Sequence, residues 1–150
     1  KAEQGEHDVN ITYEESCAIV GKEVADLARE ASLELYRMGA ERALLSGIVI
    51  ADTKFELGFI DGQLCVCDEM LTQDSSRFWP ADEVTLGRTP PSFDKQPVRD
   101  YAEALGWDKT PPAPPMPDEV IQATRTRYIE AYERLSGLSF ADWPGPERPH

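Results

Sequence analysis

Proline divides this chain in two. Residues 1–79 contain none, and all twelve prolines lie from Pro80 onward. Proline locks φ and lacks a backbone donor, so it interrupts helices and central strands. Long regular elements are therefore expected in the first half. The second half is expected to consist of shorter pieces joined by extended connectors.

The first half reads accordingly. Thr12-Tyr13-Glu14-Glu15 is a capping box, in which the Thr12 hydroxyl and the Glu15 carboxylate satisfy each other's backbone N–H groups. Apolar residues follow at Tyr13, Cys17, Val20, Val24, Leu27, Ala28, Ala31, Leu35 and Met38. Steps of three and four make one helical stripe, with Gly39 as its stop. A strand over 48–60, a turn at Asp61-Gly62 and a return strand over 63–69 form a hairpin. A proline-punctuated stretch over 70–92 comes next. A short helix over 94–105 is capped by Ser92 or Asp94, with Pro97 tolerated in its first turn. It turns Val98, Tyr101, Ala102 and Leu105 inward. Residues 106–117 hold five prolines and read as a connector. A last helix over 118–135 ends at Gly137, and residues 138–150 form a tail pinned by Phe140 and Trp143.

Charge narrows the partners. The 150 residues carry a net charge of −13, spread with neither an acidic tail nor a basic patch. Such a chain repels phosphate backbones and anionic lipid, which argues against nucleic-acid or membrane-surface binding. No apolar run approaches the roughly 20 residues of a membrane span. The three cysteines, Cys17, Cys65 and Cys67, are odd in number and lack framework spacing. They read as small apolar residues rather than a disulfide scaffold, which makes a cytoplasmic location the default expectation.

The informative segment is Asp52-Thr53-Lys54-Phe55-Glu56-Leu57-Gly58. Alternation along a strand puts Asp52, Lys54, Glu56 and Gly58 on one face and Thr53, Phe55, Leu57 and Phe59 on the other. The first face carries two carboxylates around an ammonium, where a solvated surface strand would look similar. Acids converge on it from Asp68-Glu69, and the hairpin register decides which one arrives. A plain two-residue turn sets Cys67 opposite Glu56 and Glu69 opposite Lys54. A bulge at Gly62 sets Asp68 opposite Glu56 instead. The apolar pattern favours the plain turn, because Val66 then meets Leu57 and Leu64 meets Phe59. Clustered carboxylates repel unless a cation sits between them, and Mg²⁺ suits oxygen ligands of this kind. Thr72 to Trp79 reads as a polar loop whose Ser75-Ser76-Arg77 either caps a turn or binds an anion. Lys95 and Gln96, opening a helix, add to an anion site there.

Taken together, these stretches resemble the phosphoribosylaminoimidazole-succinocarboxamide synthase (SAICAR synthetase) family. The resemblance rests on Lys1 to Asp8, the D-x-K-x-E-x-G strand, Asp68-Glu69, the Asp74-Ser75-Ser76-Arg77-Phe78-Trp79 run and Ser92-Phe93-Asp94-Lys95-Gln96. Leu57 stands where that family more often has an aromatic. The resemblance implies an α/β fold of the α+β type, with helices packed on an antiparallel, hairpin-containing sheet. It implies a cytoplasmic ligase of purine biosynthesis that uses ATP to join L-aspartate to carboxyaminoimidazole ribonucleotide.

The same resemblance implies roles for individual residues. Glu56 and Asp68 become ligands of Mg²⁺ and the ATP phosphates, a choice that goes with the bulged register. Asp52 contacts the imidazole nucleotide, and Lys54 neutralises charge near the reacting carboxylate. Ser76 and Arg77 hold the nucleotide's anion, while Lys95, Lys1, His7 and Asp8 line the cleft. Family members are longer and begin with an ATP-covering lobe. Residues 1–150 are thus expected to be the C-terminal lobe, inactive by itself. Two alternatives stand beside this: a Mg²⁺-dependent phosphohydrolase on the same carboxylates, and a non-catalytic acidic interaction module. A homo-oligomer is compatible with each of these readings.

Overall fold

A computed structural model describes residues 9–88, 90–108 and 110–145. Its elements run α1 (Tyr13–Val20), α2 (Lys22–Leu44), β1 (Ile48–Thr53), β2 (Leu57–Ile60), β3 (Gln63–Val66), β4 (Ser76–Pro80), α3 (Gln96–Ala104) and α4 (Asp118–Ser136). The mixture of helices with antiparallel strand pairs is the expected class. Among the described residues, no helix is long and apolar enough to cross a membrane.

The capping box at Thr12 forms as read, with Glu15 N–H donating to Thr12 Oγ1 at 3.2 Å and Thr12 N–H to Glu15 Oε2 at 2.7 Å. The single helix over 13–38 does not. It breaks at Gly21, whose φ of 86° and ψ of 148° suit only a residue without Cβ. Gly39 is no stop, since α2 continues to Leu44. A Cβ at Gly39 would lie 2.6 Å from Leu71 Cδ1, so the glycine serves close packing rather than termination.

The strand expected over 48–60 is two strands in two sheets. β1 pairs antiparallel with β4, matching Ile48 to Pro80, Val49 to Trp79 and Ile50 to Phe78. A bulge follows, after which Asp52 faces Arg77 and Thr53 faces Ser76. β4 lies in the stretch read as a polar loop. Its buried residues Ser76, Phe78 and Pro80 alternate with Arg77 and Trp79, a period-2 pattern masked in the sequence by a serine and a proline at inward positions. Backbone bonds tie the linking residues to both sheets: Lys54 N–H reaches Ser75 O, and Cys67 N–H reaches Glu56 O, each at 2.9 Å.

The hairpin keeps the plain register, with Leu57 opposite Val66, Phe59 opposite Leu64 and Ile60 opposite Gln63. Asp61 at φ 52° and Gly62 at φ 78° make the two-residue turn, whose twist suits the strands. The bulged register implied by the family resemblance is therefore overturned. Cys67, not Asp68, sits across from Glu56, and side-chain pairing decided the matter.

The core gathers Ile48 and Ile50 of β1, Phe78 of β4, Phe93, Ala43 of α2 and Ala131 of α4, with Tyr36, Leu71 and Leu135 against them. Phe93 is held by its N–H on Phe78 O at 2.8 Å, and Arg134 stacks on its ring at 4.9 Å. α3 begins two residues later than read, because Asp94 turns its carboxylate to Gln96 N–H at 2.8 Å. Its expected inward residue Leu105 lies outside the helix and is half exposed. α4 ends at Gly137 in the left-handed conformation. The described part of the tail, 138–145, is pinned as expected, Phe140 meeting Tyr132 edge-on at 5.7 Å and Trp143 stacking on Phe140 at 5.3 Å.

Candidate functional site

The β1 bulge creates the site. Strict alternation from Ile48 and Ile50 would send Asp52 into the core. The extra residue gives that inward position to Thr53, which accepts a hydrogen bond from buried Ser76 Oγ at 2.8 Å. Asp52 is re-aimed outward onto Arg77, whose Nε donates to both carboxylate oxygens at 3.0 and 2.9 Å while Nη2 also donates. A planar guanidinium fixed in this way is pre-organised for a second anion. The guanidinium holds the Asp52 carboxyl below its ordinary range, and the carboxylate raises Arg77 in turn.

Beside this pair opens a cavity of about 450 Å³, lined by Asp52, Ser76 and Arg77, by Gln73, Asp74 and Ser75 of the loop before β4, and by Asp94, Gln96 and Arg99. Asp94 is almost fully buried, yet both its oxygens are used. One takes Gln96 N–H, and the other takes Arg99 Nη1 at 3.0 Å. A buried carboxylate needs partners of this kind. The cavity thus carries two guanidiniums, each anchored by its own aspartate. Ser75 closes the loop by accepting from Thr72 N–H at 3.1 Å, the turn-capping role that the sequence left open.

The other site residues read from the sequence scatter around this cavity. Lys95 stands at its rim and binds Asp74 Oδ1 at 2.6 Å. Lys54 and Glu56 pair at 2.8 Å on the segment between the two sheets and do not line the cavity. Asp68 is exposed and accepts from Glu69 N–H at 2.8 Å, while Glu69 accepts from Thr72 Oγ1 at 2.8 Å. Lys1, His7 and Asp8 lie outside the described residues.

Sequence reasoning missed Arg99, used Asp94 only as a cap, and gave no part to Gln73. A carboxylate just before a helix with an arginine five residues on was the available signal for the first two. Nothing local pointed to Tyr128, which reaches Asp74 from 54 residues away at 2.7 Å. Burial, followed by the hydrogen bond to Asp74, raises the Tyr128 hydroxyl above the ordinary range.

Known proteins resemble this chain in sequence and fold. The family model for SAICAR synthetase matches residues 1–114. A phosphoribosylaminoimidazole-succinocarboxamide synthase of Methylobacillus flagellatus is 54% identical over 141 residues, 93% of this chain and 48% of that protein. The solved SAICAR synthase of Saccharomyces cerevisiae, complexed with SAICAR, superposes with a TM-score of 0.80 at 36% identity, over 89% of this chain and 45% of that one. A type-2 SAICAR synthetase in complex with ADP shares the fold at a TM-score of 0.61 and 23% identity. The chain spans about half the length of the curated relatives it matches. The family match takes in both strands that frame the cavity as well as the Asp94 to Arg99 segment, and the chain belongs to the SAICAR synthetase family.

Proposed function

We propose that this chain supplies the imidazole-nucleotide side of an ATP-dependent carbon–nitrogen ligase. The reaction joins the amine of L-aspartate to the carboxylate of carboxyaminoimidazole ribonucleotide, giving SAICAR, ADP and phosphate. The observation that carries this reading is the Asp52-clamped Arg77 at the mouth of a hydroxyl-lined cavity with Arg99 beside it. Two fixed guanidiniums with serine hydroxyls suit the phosphate and carboxylate of such a nucleotide.

The chain's residues divide the work. Arg77 and Arg99 take the anionic groups, with Ser76 at the cavity wall. Asp52 keeps an oxygen face beside Arg77 that would accept from the imidazole's amino group. Lys54 brings an ammonium next to the cavity strand and offsets negative charge on the reacting carboxylate. Lys95 stands by at the rim.

Mg²⁺ suits the donor set. Among the described residues no group of three or more His, Cys, Asp or Glu side chains forms a cage. Mg²⁺ commonly needs only one or two carboxylates plus substrate phosphates. Glu56 and Asp68 would hold it. Asp68 lies just past the end of β3, where strand alternation no longer fixes its direction. When bound, the ion supplies charge neutralisation for the ATP phosphates. Lys54 shares Glu56 with that site, so the two cations would share one carboxylate.

The test is a coupled assay of ADP release in a protein that joins this chain to the other half of the family's length. ADP release that requires both L-aspartate and the imidazole nucleotide is expected. Equal phosphate release without L-aspartate would instead make the protein a phosphohydrolase.

A further inference from the structure

Three carboxylates line the candidate cavity: Asp52, Asp74 and Asp94. A cavity so lined repels an anion unless each acid is committed elsewhere. Asp52 is committed to Arg77, and Asp94 to Arg99 and the Gln96 N–H. Among the described residues, Lys95 is the one cation paired with Asp74, and that pair is nearly half exposed, at 49% and 41%. Exposed pairs of this kind hold weakly and exchange partners readily.

A second donor settles Asp74. The Tyr128 hydroxyl donates a hydrogen bond to the same Oδ1 that Lys95 binds, at 2.7 Å. Tyr128 comes from α4, is partly buried, and does not line the cavity. The neighbouring residues repeat the connection. Gln73 Nε2 donates to the carbonyl of Phe93, and also to that of Arg127 at 3.3 Å. Two consecutive loop residues are thus tied to two consecutive residues of α4 and to the segment that leads into α3. We propose that Tyr128 is a positioning residue, whose hydroxyl keeps the Asp74 carboxylate turned to Lys95 so that the arginine-bearing cavity accepts an anion. This rests on the ligase reading for the identity of the anion. The groups facing Asp74 are Lys95 and Tyr128, with Asp94 and Glu69 the nearest further acids to Tyr128. Lys95 first, then Tyr128, holds the Asp74 carboxyl below its ordinary range.

The experiment uses the 150-residue chain as wild type, Tyr128→Phe, Asp74→Asn and the double variant. The Asp74 carboxyl is titrated by ¹³C NMR, and ribose 5-phosphate binding is measured by calorimetry at neutral pH. Tyr128→Phe keeps the ring and should raise the Asp74 midpoint by about half to one pH unit. It should weaken ribose 5-phosphate by roughly fivefold, a single hydrogen bond's worth. Asp74→Asn should bind at least as tightly as wild type, and adding it to Tyr128→Phe should restore affinity. A merely structural tyrosine would not be rescued by removing a carboxylate. An unmoved Asp74 midpoint, or a double variant no tighter than Tyr128→Phe, overturns the proposal. Should Tyr128→Phe fail to fold, weaker binding by Asp74→Asn than by wild type overturns it instead. If wild type binds no ribose 5-phosphate, the ligase reading fails, and the Asp74 midpoint still decides the role of Tyr128.

Discussion

The β1–β4 corner and the α1–hairpin region are built from similar residues and differ in what covers them. Around β1 and β4, Ile48, Phe78 and Phe93 are fully or almost fully buried, and α2 and α4 pack against them through Ala43 and Ala131. In the hairpin, Phe59, Ile60 and Val66 are exposed, as are Ile19 and Val20 of α1 and Leu27, Leu33 and Met38 of α2. Apolar content is therefore no guide to where the core lies. The corner holds because two strands distant in sequence meet there and one helix from each half of the chain, α2 and α4, packs on them. The candidate cavity sits on that rigid corner, which is where side chains are held most accurately.

Substitutions should separate the regions sharply. Phe93→Ala empties a fully buried site and should cost about 3–5 kcal/mol in urea unfolding. Ile60→Ser, on the hairpin, should stay within about 0.5 kcal/mol. Comparable losses at the two sites would erase the distinction. Gly21→Ala puts a Cβ on a backbone of φ 86° and should cost roughly 1–3 kcal/mol. An alanine there that leaves stability unchanged would mean that α1 and α2 can join into one helix. A smaller effect follows from acid. Asp52 and Asp74 have folded-state pKa values depressed below the ordinary 3.8. Their contribution is fully present above that value and is lost as pH falls through the lower folded values. Arg77→Gln should move the acid limb of unfolding, followed by circular dichroism, to higher pH. An unmoved limb would show that the Asp52–Arg77 pair contributes nothing to the corner.

Local signals were legible where physics is local. The Thr12 capping box, the Asp61-Gly62 turn, the Gly137 stop and the plain hairpin register all follow from neighbours in sequence or from alternation, and all are present. What failed depended on distant partners. The break at Gly21 was hidden by an apolar stripe that runs through it. β4 was hidden because its inward positions include a serine, whose partner Thr53 lies 23 residues earlier. The bulge that aims Asp52 at Arg77 exists only once β1 meets β4. So Asp52, Ser76 and Arg77 were recognisable as residue types, while Asp94, Arg99 and Tyr128 joined them only through the fold.

The proposed chemistry depends above all on the Asp52-clamped Arg77 acting as the anion anchor of the cavity. Calorimetric titration of wild type and Arg77→Ala with carboxyaminoimidazole ribonucleotide tests it most directly. A loss of affinity of about a hundredfold is expected, the scale of a charge-assisted bidentate contact, with the thermal midpoint at neutral pH lowered only by the loss of the half-exposed Asp52–Arg77 pair. Equal affinity in the two proteins would contradict it.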